Sequence, residues 1–153
     1  YPLTLAVHSL LRWVVLGAGL AALVRAMTGL RARRSWTPAD DRAGQLFVGL
    51  LDLQFLIGLA LYFILSPYTS RAFRDFGAAM GDATLRFWAV EHILGMVVAL
   101  ALAHIGRVRV RKTTDAARRH KLAAIFFGLA LVAILATIPW PGTPAGRPLL
   151  RGF

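Results

Sequence analysis

The chain has 153 residues, 58% of them hydrophobic, against roughly 45–50% in soluble domains, and a mean hydropathy of +0.62, which argues against a soluble fold. Its net charge of +11 would suit a nucleic-acid binder, but the basic residues sort by loop and no aromatics interleave with them as in a single-strand binder, so no nucleic-acid partner is expected. Cysteine is absent, which excludes c-type haem attachment, iron–sulfur clusters and haem-thiolate ligation.

The first apolar stretch covers about residues 3–24. Crossing a hydrocarbon core of about 30 Å takes around 20 residues at 1.5 Å rise each, and only a helix satisfies its own backbone polar groups in lipid, so this is a predicted transmembrane helix. It is too long for a cleavable signal peptide and lacks the basic leader and small-residue exit, so it is expected to be retained. His8, Arg12 and Trp13 lie on it, and Arg12, one turn beyond His8, shares its face. Gly17 and Ala21 recur at the four-residue spacing that allows close helix approach. The loop that follows holds Arg25, Arg31, Arg33, Arg34 and Arg42.

A second span, about 45–65, carries Asp52 and Gln54 near its middle, and the next loop has only Arg71, Arg74 and Arg86. The third span, about 86–105, contains Glu91, His92 and His104, with Gly95, Ala99 and Ala103 at four-residue spacing. The third loop is strongly basic, with Arg107, Arg109, Arg111, Lys112, Arg118, Arg119 and Lys121, and His120 opens the fourth span, about 121–140. The tail 141–153, PGTPAGRPLLRGF, is rich in proline and glycine and is expected to run irregularly along the outer surface. No repeat, low-complexity segment or second domain interrupts this plan. Short connections between four spans predict an all-α, up-and-down four-helix bundle, a single membrane domain over 1–153. By the positive-inside rule the first and third loops are cytoplasmic, both termini lie on the outer, periplasmic side, and the loop charges meet anionic lipid.

Polar groups inside such spans normally face the bundle interior and pair with something. His8 lies about five residues, or roughly 7 to 8 Å, below the outer face, and His92 about six residues, or roughly 9 Å, below the same face on another helix. Equal depth on separate helices suits the two axial imidazoles of a low-spin b-type haem, each about 2 Å from the iron. Arg86 or the deeper Arg12 would pair with the propionates, Gly95 would clear room for the ring, and Trp13 would pack on it. His104, about 18 Å further along the third span, cannot serve the same iron. With His120 it forms a second candidate pair for another haem near the inner face, with Arg107, Arg118 or Arg119 beside it; the alternative is that His120 is a solvated interfacial residue. Histidines in membrane helices also make plain interhelical hydrogen bonds, and two histidines with Glu91 fall short of a four-ligand zinc site. Arg12, near mid-membrane, is expected to pair with Asp52 or Glu91, as a clamp or as the lining of a proton or quinone path. A carboxylate or amide accepting a ligand imidazole N–H would orient the ring.

HSLLRW at 8–13, DLQFLIGLALYF at 52–63, RFWAVEH at 86–92, HIGR at 104–107, RHK at 119–121 and ATIPW at 136–140 together resemble a group of short, four-helix bacterial membrane proteins described as cytochrome b-like. The resemblance covers about 5–140. It implies haem b, one or two groups, electron transfer in the bacterial inner membrane, and His8, His92, His104 and His120 as ligands. The expectation is thus a b-type haem protein linked to the quinone pool, as a quinol-linked oxidoreductase or an electron-transfer subunit. The alternatives are a haem-free accessory subunit bound to other membrane subunits of a respiratory or photosynthetic complex, and a proton or small-solute carrier built around Arg12, Asp52 and Glu91.

Overall fold

The computed structural model describes residues 1–149. Helix α1 runs Pro2–Arg31 and α2 Pro38–Ala60, the latter continuing into a π-helical turn, Leu61–Leu65. Three short helices follow, α3 (Pro67–Arg74), α4 (Phe76–Gly81) and α5 (Ala83–Arg86), and a second π-helical turn, Phe87–Glu91, leads into α6 (His92–Arg111); α7 is Ala116–Thr137. Four helical rods, Pro2–Arg31, Pro38–Leu65, Ala83–Arg111 and Ala116–Thr137, are long and apolar enough to cross a membrane. Leu56, Leu94 and Val132 on their outer faces are each more than half exposed, the surface that a bilayer covers. No strand occurs among the described residues.

The local signals explain where these rods differ from the expected spans. The second rod starts earlier because Thr37 and Asp40 form a reciprocal capping box, with Pro38 in the first turn. The fourth ends at Thr137, three residues before the expected end, because Ile138 precedes Pro139 and takes extended backbone (φ −67°, ψ 134°). The second connection is helical where a plain loop was expected, since Ser66, Asp75 and Asp82 each accept hydrogen bonds from backbone N–H groups of the helix they start.

The rods pack in chain order around a ring: α1 against α2 and α7, and α6 extensively against α7 but much less against α2. Phe47 and Phe127 meet edge to face at 5.5 Å in a core that includes Val15, Leu51 and Ile134. Ala99 and Ala103 are fully buried, as their spacing suggested. Gly17 and Ala21 are not the packing stripe of α1: both are exposed. The close approach falls instead on Gly19, where a Cβ would lie 2.7 Å from the Phe47 ring, and on Gly29, where it would overlap the His120 ring. Both stripes contain small residues, and the bulky neighbours decided which one faces inward.

Candidate functional site

At the arginine-poor end the helices part around a mostly apolar cavity that opens at its mouth. His8 enters it from α1 and His92 from the first turn of α6, and their ring centroids stand 6.5 Å apart with planes at 73°. The His92 Nδ1 lies 2.8 Å from the Thr137 carbonyl. A carbonyl only accepts, so Nδ1 donates and Nε2 keeps its lone pair. Thr137 closes α7, where carbonyls lack an intrahelical partner, and Gly95 makes this contact possible, since a Cβ there would overlap the Thr137 side chain. His8 is held by its backbone: Gln54 Nε2 donates to the His8 carbonyl at 2.9 Å. A Cβ on Gly58 would come within 3.1 Å of the His8 ring. The His8 Nδ1 is buried without a partner among the described residues.

The two π-helical turns lie at this level. Tyr62, in the first, donates its hydroxyl to the Ala89 carbonyl of the second at 2.6 Å, and such turns often accompany functional sites because they re-aim side chains. Phe87 and Trp88 of the second turn pack on the His92 ring at 5.8 and 5.6 Å. Leu51, Met96 and Ile134 form an apolar floor, and Arg12, Tyr68 and Arg147 stand among the cavity's polar lining. Arg12 reaches the Leu149 carbonyl at 2.7 Å, and the Arg147 guanidinium lies over the rings of Tyr68 and Trp88 at 4.6 and 5.3 Å.

Several expected partners differ. Arg12 pairs with neither Asp52 nor Glu91; Asp52 is taken by His104 and Glu91 by Arg86 at 2.8 Å. Arg86 also donates to the Met80 carbonyl and does not line the cavity. Gly95 gives room to Thr137, not to the cavity, and Trp13 donates to the Leu149 carbonyl at the rim. The residues that sequence reasoning missed are Arg147, Tyr68, Gly58 and Thr137. Gly58 follows Gln54 at four-residue spacing on α2, a findable signal. Arg147 sits in a tail without helical register, so no periodicity could place it; the rest of the expected tail, 150–153, lies outside the described residues.

The arginine-rich end treats its histidines differently. His104 Nε2 meets Asp52 Oδ1 at 2.7 Å, the two side chains 49% and 41% exposed. His120 is completely buried, packed on Trp36 at 4.9 Å and into the space left by Gly29. The structure does not bring these two together, and His120 is not the solvated interfacial residue of the alternative expectation. Asp40, almost fully buried, accepts from Thr37, Arg25 and Arg34, and hydrogen bonding to it raises Arg34 above the usual guanidinium value. Arg107 grips Asp41 with two nitrogens at 2.6 and 2.9 Å.

Among the described residues, no three histidine, aspartate, glutamate or cysteine side chains converge as a metal-ion cage. Comparison with protein-family models, curated proteins and solved structures gave no match.

Proposed function

We propose that the cavity at the arginine-poor end holds a b-type haem between His8 and His92, and that the protein carries electrons within a membrane. One observation carries the reading: the 6.5 Å between the two ring centroids. A metal–nitrogen bond is about 2 Å, so two imidazoles that share one metal must stand within several ångströms of each other, and His8 and His92 would supply the two nitrogens. The donor set also fits. Two imidazole nitrogens would suffice to hold haem iron, Thr137 fixes the His92 tautomer by its carbonyl, and the apolar floor would suit a macrocycle. Arg12 and Arg147 would hold the propionates at the mouth. Haem supplies reversible one-electron exchange when bound; this chain's residues orient the imidazoles, exclude water and set the surrounding charge.

By the positive-inside rule the arginine-rich end faces the cytoplasm, which puts the cavity on the periplasmic side of a bacterial inner membrane. The proposed exchange partner is the quinone pool, because diffusible carriers inside a bilayer are lipid-soluble. The test is a reduced-minus-oxidised absorption spectrum with a pyridine haemochrome count on detergent-purified protein produced with haem supplied. One haem per chain, lost in His8→Ala and retained in His104→Ala, is the expected result. A wild-type protein without haem under those conditions would sink the proposal and favour the haem-free accessory subunit.

A further inference from the structure

The seam between α2 and α6 holds a polar feature that the haem reading leaves unused. These are the least closely packed neighbours of the ring, and a groove between them is lined by Asp41, Gln45, Gly49, Asp52, His104, Arg107 and others of the same two helices. Asp41 lies in the first turn of α2 and Arg107 in the last turns of α6, so the groove opens at the arginine-rich end. Asp52 lies about 16 Å further along α2, near the middle of the Pro38–Leu65 rod. There it binds His104 at 2.7 Å while both side chains stay over 40% exposed.

An ionisable pair facing hydrocarbon at mid-span is costly, and such residues normally border a water-filled cavity and mark proton relays. The rest of the groove suits water. Asp41 and Arg107 neutralise each other at the mouth, Gln45 offers a donor and an acceptor, and Gly49 has nothing within 4 Å of where a Cβ would sit, which leaves the wall open between mouth and pair.

We propose that His104 and Asp52 form a proton-binding site in the membrane interior that exchanges with water through the α2–α6 groove from the arginine-rich end. The Asp52 carboxylate only accepts, so His104 Nε2 carries hydrogen and Nδ1 keeps a lone pair. A hydronium ion in the groove gives its proton to Nδ1 and leaves as water; the imidazolium formed is held by the Asp52 carboxylate, and release reverses the step. The other charged groups facing the pair are Asp41 on α2 and Arg107 and Arg111 on α6. Asp41 pairs with Arg107, and Asp52 is the carboxylate in direct contact with the ring. The site stands apart from the His8–His92 cavity and needs no haem.

The test uses full-length protein labelled with ¹⁵N-histidine in lipid nanodiscs, read by NMR over about pH 5 to 9, with a His104→Gln spectrum assigning the resonance. His104 is expected to pass between neutral ring and imidazolium in that range. Asp52→Asn, which keeps shape and hydrogen-bonding capacity, is expected to lower the midpoint by about one pH unit or more. Gly49→Leu, which fills the groove, is expected to slow exchange of the ring N–H with water by about tenfold or more, a change equivalent to about 1.4 kcal/mol in the barrier. A ring that keeps one form throughout, a midpoint unmoved by Asp52→Asn, or exchange indifferent to Gly49→Leu would each overturn the proposal; a locked and protected ring would mean that protein, such as a second copy, covers this face. Circular dichroism checks folding of each variant, and the haem spectrum remains a separate readout.

Discussion

Each half of the bundle contains two histidines, and the halves use them in opposite ways. At the arginine-poor end His8 and His92 face each other across a cavity, and each is held from behind, His92 by the Thr137 carbonyl and His8 through Gln54. At the arginine-rich end His104 turns outward to Asp52 while His120 is enclosed by Trp36 and Gly29. Both pairs satisfy the same depth rule along their helices, so depth alone does not make a shared site. Azimuth around the helix and the volume of the neighbouring side chains decide it.

The comparison is broken most severely by removing an imidazole. His92→Gly is expected to abolish haem retention, with partial recovery when free imidazole is supplied, measured by the Soret band after desalting; recovery separates ligation from a packing role. Second in size is the glycine that admits His120. Gly29→Ala places a Cβ on a fully buried ring, and overpacking of this kind costs about 1–3 kcal/mol, seen as a lower melting temperature in detergent. Gly17→Ala meets open space and is expected to stabilise by about 0.5–1 kcal/mol through helix propensity, so the two substitutions differ in sign. A similarly small effect belongs to Arg147. Arg147→Gln removes a positive charge at the cavity mouth, which disfavours the reduced form and lowers the haem midpoint by roughly 20–60 mV, about 0.5–1.4 kcal/mol, checked by redox titration.

Much of this architecture was legible in the sequence. Twenty-residue apolar runs admit one backbone solution in lipid, so the four rods and their order followed from composition. The pairing of His8 with His92 was also legible, since a helix converts residue number into depth. The ion pairs were not: Arg12, Asp52 and Glu91 share similar depths, but partner choice depends on rotation about each helix axis, and His104 and Arg86 were nearer. Gly95 was noticed for its size and assigned to the wrong neighbour, because a missing side chain does not say which face will fill it. Arg147 was invisible for another reason: a segment held by turns has no period from which to read position.

That segment has its own specification. Gly142 takes φ +88°, which side chains rarely adopt, and a Cβ on Gly146 would press on the Trp140 and Thr143 carbonyls. The Arg147 N–H returns to the Pro139 carbonyl at 3.0 Å, and Thr84 ties the strap to α5 through the Pro144 carbonyl at 2.9 Å. The strap lies over the cavity mouth and follows all four rods in the chain, so it leaves the ribosome after them. Through Thr84 it joins the end of the fourth rod to the start of the third, so the residues over the mouth are held from two neighbouring helices at once.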